Sequence, residues 1–121
     1  MFKFKVDTPL EKRIEEVQKI TSKWPGRIPI ILEKSKNSQL EDIPKSKFLC
    51  PSDYTVQQFL GCIRKKVKMR RDTALFIFVN GKELVTGDAS MLAIYEQKKD
   101  EDGFLYMIYS DQDVMGAHYN Q

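Results

Sequence analysis

Few side chains in this sequence are equipped for bond-making chemistry. There is one histidine, His118, and it stands beyond Gly116 near the C-terminus. A Cys–His or Ser–His pair would need that terminal residue as its base, and terminal segments position groups poorly. The two cysteines, Cys50 and Cys62, lack a ligand-like spacing and sit in apolar settings, which suits buried thiols in a reducing compartment. The carboxylate clusters "DED" (100–102) and "ED" (41–42) read as solvated turns, with no His or Cys nearby in sequence to complete a metal site. The glycines are isolated, so no phosphate-cradling loop is visible. Catalysis is therefore not expected.

Three stretches suit binding instead. "RKKVKMRR" (64–71) concentrates positive charge, read either as a solvated helix end favoured by the helix dipole or as a site for an anionic partner. "KSKFLCP" (45–51) has the lysines and terminal proline of a sheet edge. The lysines either guard that edge against aggregation or help it to accept an acidic peptide as an added strand. The end of the chain, "SDQDVMGAHYNQ", places a lone glycine beyond the last apolar run; by itself this reads as a frayed terminus.

Positioning those stretches requires one domain's worth of chain. The 121 residues are 41% hydrophobic and 31% charged, an ordinary composition for a globular domain with a core of its own. No apolar run is long enough to cross a bilayer, and "MFKFKVDTPLEK" lacks the apolar centre of a secretory signal. The net charge of +3 is unevenly spread: residues 1–71 carry 17 Lys/Arg against 8 Asp/Glu, and residues 72–121 carry 3 against 9. The basic part is the one expected to meet acidic partners.

Hydrophobic spacing supplies the elements. A helix is expected over residues 9–24, with Thr8 and Glu11 as a capping box, Pro9 at the first helical position and an apolar stripe of Leu10, Ile14, Val17, Ile20 and Trp24. "IPIIL" (28–32) and "KFLCP" (47–51) read as strands joined by a polar connection. A second helix begins at Thr55, capped with Gln58, and turns Val56, Phe59, Leu60, Ile63 and Val67 inward. "ALFIFVNGKELV" is a strand entering an Asn-Gly turn, "ASMLAIYEQKKDEDG" a short helix, and "FLYMIYS" (104–110) a central strand, apolar on both faces. After the first helix the order is ββαβ(α)β. That predicts an α+β, ubiquitin-like β-grasp: a mixed four-stranded sheet, one main helix, and an N-terminal helical extension (about 1–26) on the sheet's free face. A ferredoxin-like fold would need a helix between the first two strands.

Five blocks carry a resemblance: "PLEKRIEEVQKI", "WPGRIPIILEK", "KFLCPSDYTVQQFLGCIRKKV", "ALFIFVNG" and "YEQKKDEDGFLYMIYSDQDVMG". In this order and spacing the chain resembles the autophagy ubiquitin-like modifiers, the family of GABA-A-receptor-associated protein and microtubule-associated protein light chain three. The resemblance covers roughly residues 2–116. It implies a single ubiquitin-like domain over 1–116 and a removable tail, 117–121. A cysteine protease would cut after Gly116, and activating and conjugating enzymes would pass that glycine to the amine of phosphatidylethanolamine. The protein would be cytoplasmic, and on the autophagosomal membrane when lipid-conjugated, with no cofactor and no nucleic acid partner.

The resemblance also implies a groove for cargo and adaptor proteins that carry a short aromatic-x-x-aliphatic motif. Glu16, Ile20, Pro29, Ile31, Lys47, Leu49 and Phe104 would form its aromatic pocket. Phe48, Cys50, Pro51, Tyr54, Phe59, Cys62 and Ile63 would form the aliphatic one, and Arg27, Lys45 and Lys66 would meet acidic flanks. The chain departs from the family pattern at Met115, where members usually carry an aromatic residue, at Cys50, Tyr54 and Cys62 in place of aliphatic residues, and at Lys66 in place of arginine. A second reading keeps the fold and the groove without conjugation, as a peptide-binding module for trafficking or cytoskeletal attachment.

Overall fold

The segment "LYMIYS" is apolar on both alternating faces, and the fold buries both. In the computed structural model, which describes residues 2–113, β5 (Leu105–Ser110) is buried at every position. It lies parallel to β1 (Arg27–Lys34) on one side and antiparallel to β3 (Phe76–Val79) on the other. β2 (Lys47–Pro51) pairs antiparallel with β1, and β4 (Glu83–Leu84) pairs with β3, giving the order β2-β1-β5-β3-β4. The sheet is mixed, as expected, but has five strands where four were expected. The fifth is the two-residue β4, too short to show an alternating pattern. The Asn-Gly turn before it is as expected: Asn80 and Gly81 both take positive φ (56° and 73°), the hairpin geometry that this pair favours.

Alternation divides the apolar residues between two cores. Ile28, Ile30, Leu32, Ile77, Val79, Leu105, Met107 and Tyr109 face α3 (Val56–Lys66), which brings Val56, Phe59 and Ile63 to them. The predicted cap of α3 is present: Thr55 Oγ1 accepts from Gln58 N–H at 3.3 Å, and Gln58 Oε1 accepts from Thr55 N–H at 2.9 Å. α4 (Met91–Lys98) starts at Ser90, whose hydroxyl oxygen accepts from Ala93 N–H, and buries Met91 in the same core.

The opposite face holds Ile31, Phe78, Phe104, Tyr106 and Ile108, and an N-terminal helical extension covers it as expected. That extension is two helices, α1 (Lys3–Asp7) and α2 (Leu10–Lys23), with Thr8-Pro9 between them. The Thr8–Glu11 capping box does not form. Thr8 instead closes α1, donating its N–H to Phe4 C=O, while Pro9 is the cap residue of α2 and makes no side-chain cap bond. The buried side of α2 is also rotated from the expected stripe. Arg13 and Val17 are buried, whereas Leu10 and Trp24 are 37% and 45% exposed. The rotation follows from a polar partner, because Arg13 Nε donates to Asp102 Oδ2 at 2.8 Å beneath the helix.

Candidate functional site

β2 is the edge strand at one side of the sheet. At the ends of its ladder Leu32 N–H donates to Ser46 C=O (2.7 Å) and Ser52 N–H donates to Gly26 C=O (3.0 Å). Antiparallel bonding alternates, so between these ends the ladder uses Phe48 and Cys50, and the N–H and C=O groups of Lys47 and Leu49 turn outward. Leu49 C=O accepts only a long bond, 3.4 Å, from the exposed guanidinium of Arg27. An extended peptide therefore finds two residues of open backbone.

Side chains of that strand alternate between the two cores. Leu49 sits opposite Pro29 and Lys47 opposite Ile31, on the face covered by α2. Ile31 and Phe104 are fully buried there, Ile20 packs against them, and Glu16 reaches from α2 to Lys47, Oε2 to Nζ 2.6 Å. The Lys47 ammonium also lies 5.2 Å from the centre of the Phe4 ring. Seven residues predicted for an aromatic pocket thus gather on one side of β2, where Glu16 and Lys47 form a partly exposed ion pair.

Phe48 and Cys50 point the other way, opposite Ile30 and Ile28. Phe48 meets Phe59 edge to face, centroids 5.6 Å apart, and Tyr54 and Ile63 join the same core. Cys62 lies half-buried on α3, and Pro51 ends β2. Phe59 and Ile63 are entirely buried, and the half-buried members of the predicted aliphatic set are Phe48, Pro51, Tyr54 and Cys62. Both cysteines are free thiols. Burial pushes the Cys50 thiol up to about 12, with a further rise from Cys62, so Cys50 stays protonated and apolar at neutral pH.

The three cations predicted for acidic flanks are divided. Lys45 and Lys66 line one cavity of about 410 Å³ with Lys47, Phe48 and Leu49. Arg27 stands at the other end of β2, opposite Pro51. Ile43 and Pro44 complete the cavity wall and were not anticipated, because "EDIP" lies in a connection read as polar. Their only signal is an apolar pair inside a charged segment.

A second unanticipated group anchors α2 beside the aromatic side. Asp102 accepts from Arg13 Nε and from Tyr106 Oη (2.5 Å), and its other oxygen accepts from Phe104 N–H. Burial and the neighbouring Asp102 carboxylate raise the Tyr106 phenol, which keeps it a donor. Lys5 donates to Asp100 at 2.5 Å in the same turn. Arg13 also donates to the carbonyl of Thr8, tying the α1–α2 junction to the turn before β5.

Gly116, Met115 and the tail 117–121 lie outside the described residues. Among the described residues, no helix is long and apolar enough to cross a membrane.

The comparisons with known proteins agree with this geometry. The profile of the family described as "Autophagy protein Atg8 ubiquitin like" matches residues 12–116. Autophagy-related protein 8e of Arabidopsis thaliana is 48% identical over 114 residues, covering 94% of this chain and 93% of that protein. Autophagy-related protein 8B of Oryza sativa subsp. japonica is 48% identical over 113 residues, covering 93% and 94%. The crystal structure of Trypanosoma brucei ATG8 aligns with a TM-score of 0.90 and 40% identity, over 96% of this chain and 99% of that one. A β-grasp sheet with an N-terminal helical extension, a family profile matched over residues 12–116 and relatives 48% identical over more than nine-tenths of the chain place it in the Atg8 family of autophagy-related ubiquitin-like proteins.

Proposed function

We propose that this chain is a ubiquitin-like modifier that is cut after Gly116, joined to phosphatidylethanolamine, and used on autophagosomal membranes as an adaptor for proteins with an aromatic-x-x-aliphatic motif. The observation that carries the adaptor role is the outward backbone of Lys47 and Leu49, flanked by an apolar set on each face of the sheet. A motif strand paired there presents alternate side chains to opposite faces. Its aromatic residue enters beside Ile31 and Phe104 as Lys47 parts from Glu16. Its aliphatic residue meets Phe48, Tyr54 and Cys62, and acidic flanks meet Lys45 and Lys66.

Conjugation is supported by the position of Gly116 at the end of the family match. Hydrolysis of the bond after Gly116 frees its carboxylate, which the activating enzyme would adenylate with ATP, releasing pyrophosphate. An enzyme thiol then displaces AMP, and the acyl group passes through thioesters to an amide with the lipid amine, freeing the thiol. A residue without a side chain suits narrow active sites on that route. Two acyl chains then satisfy the requirement for stable anchoring. The role is that of a substrate and scaffold, with the chemistry supplied by the protease and the activating and conjugating enzymes.

Intact mass of the protein from starved cells tests the reading. A mature form ending at Gly116, with a lipid-bearing form lost in Gly116→Ala, is the expected result. A chain still ending in Gln121 favours the unconjugated peptide-binding module. Titration with an acidic aromatic-x-x-aliphatic peptide tests the groove separately. Lys47→Glu and Leu49→Ala should each weaken binding by about tenfold or more, equivalent to ~1.4 kcal/mol, and unchanged affinity in both removes the groove.

A further inference from the structure

Several elements end together at one end of the sheet. β1 finishes at Lys34, level with Tyr109, and Ser35 N–H donates to Tyr109 C=O at 2.8 Å. β3 begins at Phe76, opposite Ser110, the last residue of β5. α3 follows β2 from the other end and finishes at Lys66, and residues 67–75 lead directly to Phe76. The chain therefore leaves β5 toward Gly116 from the same end that carries the segment 64–71. Arg27, Trp24 and the Asn80-Gly81 turn occupy the opposite end.

Segment 64–71 holds six Lys/Arg and no carboxylate. Arg64 is occupied, donating to Thr73 C=O at 2.9 Å, and Arg70 makes a fully surface contact with Asp72. Lys65, Lys66, Lys68 and Arg71 are exposed and have no ion-pair partner among the described residues. The helix dipole accounts for cations in the last turn of α3, but its effect fades within that turn. Lys68, Arg70 and Arg71 lie beyond it. Lys36 adds a further exposed cation across the sheet end. The carboxylates there are Asp72, Asp111 and Asp113, with Glu41 and Asp42 on the loop after β1, so the cationic excess lies on the α3 side.

We infer that this cationic end docks on anionic lipid headgroups of the membrane that holds the tail, so that the domain stands on the bilayer with its strands pointing away from it. The inference rests on the proposed conjugation at Gly116. A tether raises the local concentration of the domain at the membrane, so a modest attraction suffices to orient it. Each Lys or Arg near an anionic leaflet changes occupancy by about fivefold. RNA is the weaker alternative, because among the described residues the aromatics at this end, Phe76 and Tyr109, pack in the two cores rather than facing outward to stack on bases.

The test bypasses the conjugating enzymes, so its failure is distinct from failure of conjugation. The full chain carrying hexahistidine after Gln121 is held on nickel-chelating lipid in vesicles of phosphatidylcholine with or without phosphatidylserine, and lysine acylation rates are mapped. With phosphatidylserine, Lys65 and Lys68 should react several-fold more slowly, whereas Lys23 and Lys82 at the opposite end keep their rates. High salt should abolish the protection in the unmodified protein. The variant Lys68→Gln/Arg70→Gln/Arg71→Gln should lose it at Lys65. Protection that is equal without phosphatidylserine, or that falls on Lys23 and Lys82, overturns the inference. So does protection by single-stranded RNA when phosphatidylserine gives none.

Discussion

Arg13 and Asp102 form an ion pair closed to water across 89 residues of sequence, and such a pair matters most when one partner is lost. Arg13→Ala leaves the Asp102 carboxylate buried without its cation and should cost about 3 kcal/mol or more, read from the urea midpoint. Tyr106→Phe removes one donor to the same carboxylate and should cost ~1–3 kcal/mol. Asp100 supplies a pH test. Burial alone would raise its carboxyl, but the hydrogen bond from Lys5, the Asp102 N–H and the charges of Lys5 and Arg13 bring it below the usual 3.8. Because the folded value is the lower one, its stabilisation is fully present above about pH 4 and disappears as pH falls through the folded value. Asp100→Asn should therefore flatten part of the acid loss of stability below about pH 4, measured by urea titration. A thiol reagent at neutral pH should label half-buried Cys62 first and Cys50 only after unfolding, by mass. Sequence spacing could not show the Arg13–Asp102 contact, since a charged residue on an apolar stripe gives no sign of a partner so far along the chain. Cys50 and Cys62 were legible as apolar-setting thiols from their neighbours alone.

Elements were easier to read where local chemistry and tertiary packing agree. The Thr55–Gln58 cap, the Asn-Gly turn and the two-faced β5 carry their causes within a few residues, and each forms. At Thr8–Glu11 the same local signal fails, because α1 ends on Thr8 and takes its backbone N–H. The short α1 was invisible for a related reason: five residues cannot sustain a helix without tertiary support. Here Glu33 of β1 supplies that support, accepting from the N–H groups of Lys3 and Phe4 at its start. The outward set on β2 was legible as a sheet edge with lysines and a proline, whereas the Ile43-Pro44 wall belongs to a loop whose course no periodicity describes. Gly103 links two elements. It holds φ +94°, and a Cβ there would stand 2.7 Å from Val17 Cγ1 of α2. Gly103→Ala should cost about 2 kcal/mol from the backbone strain alone and loosen α2, seen as faster amide exchange along that helix than along α3.

The whole molecule is a sheet with a core on each face, and the two N-terminal helices are the sole cover of one of them among the described residues. Deleting residues 1–24 should expose Ile31, Phe104, Tyr106 and Ile108 together and turn the domain into an aggregating, dye-binding species. Retention of a monomer with unchanged dye binding would show that the sheet tolerates a bare face.

Among the described residues the sheet has one edge long enough to recruit a strand, and that edge begins at Lys47, with Lys45 just before it. If copies were crowded on one bilayer and each held through the same end, as proposed, they would share one upright direction. Neighbours that met edge to edge would then run side by side in parallel, bringing each lysine against its own counterpart. Mutual repulsion there would keep a dense lawn of copies from zipping into ribbons, while an acidic peptide, lacking that conflict, would still find every edge vacant.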